Sequence, residues 1–335
     1  MHTWVPKVAA GAVLVAATLM MLWNLGYEPL ALYDEQTYTH VLGQSFERGD
    51  FLTFSTGDKF WFEKPPLYFW LAGVAQVIFG EGAFALRLPS ALAGVGVVAL
   101  TMLLAYVMTH SLWAAALAGA LLLVTPPFVV GARTALMDQL VSFFISFAAY
   151  AAWQRTQWLY GMALGLAVLS KSIIGVFALV PLLALRQYFW WGFVLAALIA
   201  APWHVYEWLQ HGNVFWQEYL GTHVLERYET NLFGDPALQT DYVSHLFWFV
   251  KVLTGLFLVS LVGLLVYGRL LTRTQWRALG LSLGMVAAML VLFFTAQTRA
   301  FTYLLPLYPW AALSVALSFY WLAHAVKKGS GAAAK

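Results

Sequence analysis

Apolar residues run through this chain in blocks of about twenty, and polar residues collect in the gaps between them. A block of that length crosses the ~30 Å hydrocarbon core of a bilayer as one α-helix. The pattern predicts ten spans, at about 8–27, 84–108, 112–131, 136–153, 157–170, 173–188, 190–208, 244–268, 277–297 and 301–324. The pair at 157–170 and 173–188 is the shortest. Two gaps are long: 28–83 after the first span, and 209–243 between the seventh and eighth. Inside the first gap, 66–79 is apolar but too short to cross, so it is predicted to lie at the interface. The first apolar block follows Lys7 and has no small-residue cleavage pattern after it, so it reads as a retained span. No internal repeat is evident, and no soluble domain follows the last span. The expectation is one all-α membrane domain over 1–325, with 326–335 as a disordered tail.

Composition excludes a water-soluble globule. The 335 residues are 62% hydrophobic and 10% charged, with mean hydropathy +0.74, where soluble domains carry about 25% charged residues. The net charge of +3 is modest, and the bases sit at helix ends without forming a patch, so nucleic acid is not an expected partner. The absence of cysteine removes disulfides and thiolate metal sites. Charge does more when it is laid on the spans. With the N-terminus cytoplasmic, the inner side holds Lys7, Arg155, Arg186, Arg269, Arg273, Arg277, Lys327, Lys328 and Lys335, nine bases and no acid. All fifteen acids then fall on the outer side with the other nine bases, as the positive-inside rule favours. Were 66–79 to cross, Asp138 and Lys171 would move inside and the segregation would blur. Any polar site therefore belongs to the outer face.

The outer gaps and turns carry the candidate chemistry. Tyr33-Asp34-Glu35 lies just past the first span. Charge there is costly to bury, so it marks either a solvated loop or a site. The simpler account of Asp34 is a cap for a helix over Gln36–Glu47, whose dipole favours a carboxylate. Phe62-Glu63-Lys64-Pro65-Pro66 fixes Glu63 and Lys64 at the N-terminus of the interfacial helix, where a phosphate is welcome; the plainer alternative is a surface ion pair worth little. Arg133 and Asp138 flank the turn between the third and fourth spans. Ser170-Lys171-Ser172 makes the turn between the fifth and sixth, and Arg299 precedes Tyr303 at the last span. Each alone reads most simply as a helix end reaching for water. The outer turns mix acid with base, however, whereas the inner turns hold only bases. His223 and Arg227 stand four apart and share a helix face. A divalent ion between Glu63 and His223 is one reading, although no HxxH or HxxxH spacing supports it. His204, beside Pro202-Trp203, is a weaker candidate. Trp61 and Tyr68 are read as platforms for a sugar face.

In order along the chain, Tyr33-Asp34-Glu35, Phe62-Glu63-Lys64-Pro65-Pro66, Gly80, Arg87-Leu88, Ala132-Arg133, Met137-Asp138, Leu169-Ser170-Lys171, Pro202-Trp203 and Tyr303-Leu304-Leu305-Pro306 make one pattern. From about residue 8 to 310 it resembles membrane glycosyltransferases of the GT-C superfamily, most closely the branch of the lipid A aminoarabinose transferases and the protein O-mannosyltransferase-like enzymes. The resemblance implies a GT-C-type bundle with interfacial helices in the first outer loop. It also implies transfer of a sugar from a polyprenyl-phosphate carrier to a lipid, glycan or protein acceptor, at the outer face of a bacterial inner membrane. On that reading Asp34 is the catalytic residue, with Glu35 and Asp138 as further acids. Lys64, Arg133, Lys171, Arg227, Arg299 and Tyr303 are donor-phosphate contacts, and Glu63 with His223 would hold a divalent metal ion if one is used. The chain is shorter than many relatives. The rival from another class is a flippase of a lipid-linked sugar, but such transporters carry ionisable groups at mid-membrane, and here the charges crowd one edge.

Overall fold

The computed structural model describes residues 4–31, 33–230, 255–297 and 301–333. Helix α1 (Val5–Leu22) leads into an outer segment made of α2 (Asp34–Arg48), a two-stranded hairpin (β1, Ser55–Thr56; β2, Lys59–Phe60) and α3 (Leu67–Phe79). Then come α4 (Ala83–Thr109), α5 (Leu112–Leu123), α6 (Pro126–Ala132), α7 (Met137–Trp153) and α8 (Gln157–Lys171). A 3₁₀ stretch, Ser172–Leu179, runs into α9 (Val180–Leu185) and is followed by α10 (Trp190–His211). A second outer segment combines α11 (Asn213–Trp216), a π-helix over Gln217–Glu226, and α12 (Arg227–Glu229). The bundle closes with α13 (Gly255–Tyr267), α14 (Arg273–Thr295), a 3₁₀ turn at Phe301–Leu307 and α15 (Tyr308–Ala333). The last helix thus reaches into the stretch 326–335 expected to be a tail.

The all-α membrane architecture is as expected, but the count of spans differs. Among the described residues six helical segments are long and apolar enough to cross, or seven if α5 and α6, bent by 76°, count as one. Residues 244–254 of the eighth expected span lie outside the described residues, and the fourth is a helix of 17 residues; elsewhere the difference has local causes. Thr125 and the prolines after it break the third expected span. The turn expected at Ser170-Lys171-Ser172 is present: helical structure over 157–185 reverses on itself at Ser172, whose φ is +45°, so the two short expected spans are there as a hairpin. The two short pieces lie side by side: the Tyr160 hydroxyl donates to the Ala178 carbonyl at 3.0 Å. A Cβ at Gly175 would sit 2.5 Å from the Ala167 backbone, so glycine lets the two arms of this hairpin touch. Helix α3, at 13 residues, is too short to cross, in keeping with its interfacial assignment.

The last span is the most enclosed. The window in Thr302–Ala325 is 89% buried, whereas that of α1 is 17% buried, so the C-terminal helix forms the centre and α1 the rim. A second, aromatic core sits in the first outer segment, where Tyr38, Phe54, Trp61, Tyr68 and Phe69 pack mostly edge to face. Trp61 and Tyr68 are therefore interior residues and not sugar platforms. The Tyr68 hydroxyl donates to the Leu86 carbonyl at 2.9 Å and lies 3.1 Å from the Ser90 hydroxyl. This core makes the outer segment a solid body on which site residues can be mounted.

Candidate active site

The neighbouring carboxylates Asp34 and Glu35 have opposite environments. Helix α2 begins at Asp34 because Tyr33, at φ +68°, turns the chain sharply beforehand. The helical turn then sends Glu35 inward and leaves Asp34 on the open side. Glu35 is wholly buried. Its Oε1 accepts from Arg87 Nε (2.8 Å) and the Ala135 amide (2.7 Å), and its Oε2 from Arg87 Nη2 (2.7 Å) and the Ala31 amide (2.7 Å). Arg87 in turn donates to the carbonyls of Leu25, Glu28 and Pro29. Burial would raise the Glu35 pKa, but these donors outweigh it and hold the carboxyl below its usual range. Every lone pair is used, so Glu35, expected among the catalytic acids, is instead the clamp that fastens α1, α2, α4 and the turn before α7 together.

Asp34 accepts no hydrogen bond from any described residue, and its side chain does not cap α2. It is open to solvent yet recessed. Loss of hydration raises its carboxyl above the ordinary 3.8, against the lowering pull of Lys64 and Lys171 and with the repulsion of Asp138 and Glu63. Those four charges within electrostatic reach come from three different parts of the chain.

Glu63 and Lys64 lie in the turn that Pro65 and Pro66 stiffen ahead of α3. Glu63 Oε1 accepts from Lys64 Nζ at 2.5 Å and from Arg227 Nη2 at 2.6 Å. Burial pushes the Glu63 pKa up, but Lys64 and Arg227 prevail and set it at about 2. Asp138 stands in the first turn of α7, with Oδ2 2.5 Å from Lys171 Nζ and Oδ1 buried without a partner. Lys171 also lies over the Tyr303 ring, 5.1 Å from its centre, and the Tyr303 hydroxyl bonds with Arg227.

The π-helix supplies the remaining wall. This wider coil occurs mostly as single turns and often at functional sites; ten residues of it carry Tyr219 and His223 and lead into Arg227 at the start of α12, which bonds Glu63. Arg227 Nη2 is 3.4 Å from His223 Nδ1. Burial, with Lys64 and Arg227 nearby, depresses His223 to about 4 despite Glu63, so it is neutral at physiological pH. The helix is braced from beneath. His204 Nε2 lies 2.9 Å from the Tyr219 hydroxyl, and Phe62, Trp203 and Phe215 pack around Tyr219. Thr53 donates to both oxygens of buried Glu207, and the Trp203 indole donates to the Leu52 carbonyl, tying the hairpin to α10.

Lys64, Glu63, Lys171, His223, Arg227 and Tyr303 converge on one cavity of about 370 Å³. Its other walls are apolar, among them Ile174, Phe177, Leu225, Met289, Leu292 and Phe293. A charged mouth thus opens into a greasy pocket. The three expected acids Asp34, Glu35 and Asp138 do not line it: Asp138 pairs with Lys171, Asp34 is within electrostatic reach of Lys64 and Lys171, and Glu35 is the clamp described above. Two further expected members are elsewhere or undescribed. Arg133 donates to the Met20 and Trp23 carbonyls, where it finishes α1, and does not reach the cavity. Arg299 lies outside the described residues. The Glu63–His223 pair does not fit a divalent ion, because the Arg227 guanidinium already lies between them. Among the described residues no group of three His, Cys, Asp or Glu side chains is placed to hold a metal. Sequence reasoning missed the apolar lining, since Ile, Phe and Met in a membrane chain carry no signal that separates a pocket from a lipid-facing surface. It also missed Tyr219.

Residues 11–211 match the family described as dolichyl-phosphate-mannose-protein mannosyltransferase. The chain belongs to that family. Among curated relatives it is 28% identical over 247 residues to an uncharacterized protein of Aquifex aeolicus, covering 68% of this chain and 48% of that one. It is 28% identical over 195 residues to the undecaprenyl phosphate-alpha-4-amino-4-deoxy-L-arabinose arabinosyl transferase of Pseudomonas savastanoi pv. phaseolicola, covering 54% and 36% of the two. The chain therefore spans half or less of the length of these relatives. In solved structures the fold is that of ArnT from Cupriavidus metallidurans bound to undecaprenyl phosphate. The TM-score is 0.76 at 22% identity, over 95% of this chain and 61% of that one. This member of the mannosyltransferase family is accordingly a multi-pass membrane protein of the GT-C glycosyltransferase fold, with Asp34, Glu63, Lys64 and Asp138 all inside the matched segment.

Proposed function

We propose that the chain transfers a sugar from a polyprenyl-phosphate carrier to an acceptor at the mouth of this cavity, on the periplasmic face of a bacterial inner membrane. The observation that carries the reading is the division of one cavity into a cationic mouth and an apolar interior, which matches a phosphate joined to a hydrocarbon chain. Each buried CH₂ of such a chain contributes about 0.8 kcal/mol. A lysine ~4 Å from a phosphate contributes about 4 kcal/mol at an effective dielectric near 20, before desolvation is deducted. The relatives named for undecaprenyl-phosphate-linked aminoarabinose favour a carrier and a sugar of that kind.

Asp34 is the base. It is the one carboxylate of the cluster with no hydrogen-bond partner among the described residues, and desolvation makes it readier to take a proton. As the acceptor oxygen bonds to the anomeric carbon, its proton passes to Asp34 and the bond from that carbon to the phosphate oxygen breaks. The electron pair leaves on the phosphate, beside Lys64, Lys171 and Arg227. The carboxylate loses one negative charge as the phosphate gains one, so the total charge of the site stays constant through the step. Attack from the face opposite the phosphate inverts the anomeric centre, since no second carboxylate is free to serve as a nucleophile: Glu63 and Asp138 are held by cations.

The test is a transfer assay on purified protein in lipid, with a panel of radiolabelled polyprenyl-phosphate sugars and envelope-derived acceptors. Wild type should move label from carrier to acceptor and Asp34→Asn should not. Label crossing the bilayer equally well in both proteins, with no transfer, would establish the flippase instead.

A further inference from the structure

At the far end of α14 a second cavity, of about 440 Å³, is lined by Arg186, Arg273, Arg277 and Trp276, with Leu185 and Gly280. The three arginines come from two elements distant in sequence, the C-terminus of α9 and the first turns of α14. None of their guanidiniums makes a hydrogen bond or ion pair with a described residue. Arg186 holds a left-handed backbone, φ +53°, where the chain leaves α9. Trp276 is fixed beside them: its indole donates to the Gly268 carbonyl at 3.1 Å, and a Cβ at Gly268 would collide with the ring at 2.8 Å.

Topology alone asks only for a surplus of bases on one side, not for their convergence. Arg155 and Arg269, predicted for the same side, do not line this cavity. Arg277 and Phe293, the latter in the wall of the first cavity, stand sixteen residues apart on α14, which is about 24 Å along a helix. The second cavity therefore lies near the opposite surface of the hydrocarbon layer from the candidate active site. Guanidinium forks suit phosphate oxygens in a way a lysine cluster does not, and an indole at that depth suits the boundary between headgroup and acyl chain.

We propose that this cavity binds the phosphate of an anionic phospholipid in the leaflet opposite the active site. A free phosphate shares the recognition chemistry but lacks the acyl chains that would lie along the exposed apolar surface of α14. The test uses the full chain, purified and titrated in native mass spectrometry with phosphatidylglycerol, phosphatidylcholine and inorganic phosphate in turn. Wild type should retain phosphatidylglycerol over phosphatidylcholine. Each arginine near a membrane surface is worth about fivefold, so Arg186→Gln with Arg277→Gln should weaken retention roughly 25-fold and Arg273→Gln alone about fivefold. All three side chains are exposed and unpaired, so the variants should melt with wild type, and a melting measurement checks this. A Lys64→Gln, Arg227→Gln protein, altered at the other cavity, should retain the lipid as wild type does. Equal retention of the two lipids, retention unchanged in the double arginine variant, or loss confined to the Lys64, Arg227 variant would overturn the assignment. Displacement of the lipid by inorganic phosphate at matching concentration would overturn the lipid as occupant.

Discussion

Two adjacent acids, Asp34 and Glu35, should fail in opposite ways when each is made an amide. In Glu35→Gln either orientation of the amide points its NH₂ at two donors, because both carboxylate oxygens of Glu35 accept one bond from Arg87 and one from a backbone amide. Arg87 is also left as a buried charge without its counter-ion. Breaking such a pair costs about 3–5 kcal/mol, or roughly 5–10 °C in melting temperature on soluble-protein scaling. Asp34→Asn removes no hydrogen bond. The folded state raises the Asp34 pKa, so its favourable contribution is complete below 3.8 and lost as pH rises through the raised value. At pH 7 the ionised carboxylate is therefore a burden that asparagine lacks, and the variant should melt at or slightly above wild type. Its transfer rate should fall about 10²–10⁴-fold, the range for loss of a general base, with carrier binding retained. The assay pairs a melting curve in detergent with turnover of a labelled carrier sugar. A melting loss in Asp34→Asn as large as that in Glu35→Gln would refute the division of roles. So would Glu35→Gln that melts normally and is inactive.

Three other outcomes rest on the same geometry. Lys64→Gln or Arg227→Gln should each weaken carrier binding about 10–100-fold, as loss of one charge-assisted hydrogen bond of roughly 1.5–3 kcal/mol predicts; a binding titration with the sugar-free carrier phosphate reads this directly. Stability should fall as pH drops from about 6.5 towards 4, because the unfolded chain takes up the His223 proton before the folded one does. His223→Gln should flatten that part of the melting-versus-pH curve, while the loss tied to Glu63 begins only below 4.5 and continues to about 2. Gly175→Ala should cost about 1–3 kcal/mol through overpacking and reduce transfer, since the added methyl meets the Ala167 backbone and pries open the hairpin that carries Lys171.

Much of this was legible in the sequence, and the remainder was hidden for identifiable reasons. Charge segregation put every acid of the cluster in the expected outer segments and turns, and it predicted that Leu67–Phe79 does not cross, with which a helix of 13 residues agrees. The Glu63-Lys64 pair was recognisable because Pro65 and Pro66 stiffen the chain directly after it. The turn at Ser170-Lys171-Ser172 was legible, and the chain does reverse at Ser172; the bend of 76° at Thr125 was not, because a run of apolar letters reads the same whether it continues or bends. Glu35 and Arg133 were misread for a related reason. A carboxylate beside Asp34 or a guanidinium beside Asp138 looks equally catalytic in one dimension, and only the helical turn decides which faces inward. The π-helix over Gln217–Glu226 carries no compositional mark, yet the spacing of His223 and Arg227 survived it because four residues come close to one π turn.

Among the described residues, every cation the carrier could use already has a partner: Lys64 and Arg227 share Glu63, and Lys171 holds Asp138. A phosphate arriving at this mouth does not fill an electrostatic hole; it displaces one anion from contact with another's counter-ion. Docking is then an exchange whose net gain is the difference between two similar attractions, and departure is the same exchange run backwards. A membrane carrier is held in place chiefly by its tail, so its headgroup can be gripped loosely. On the proposed function, such a site would let go of a spent carrier quickly, with turnover governed by how fast the internal pairs re-form.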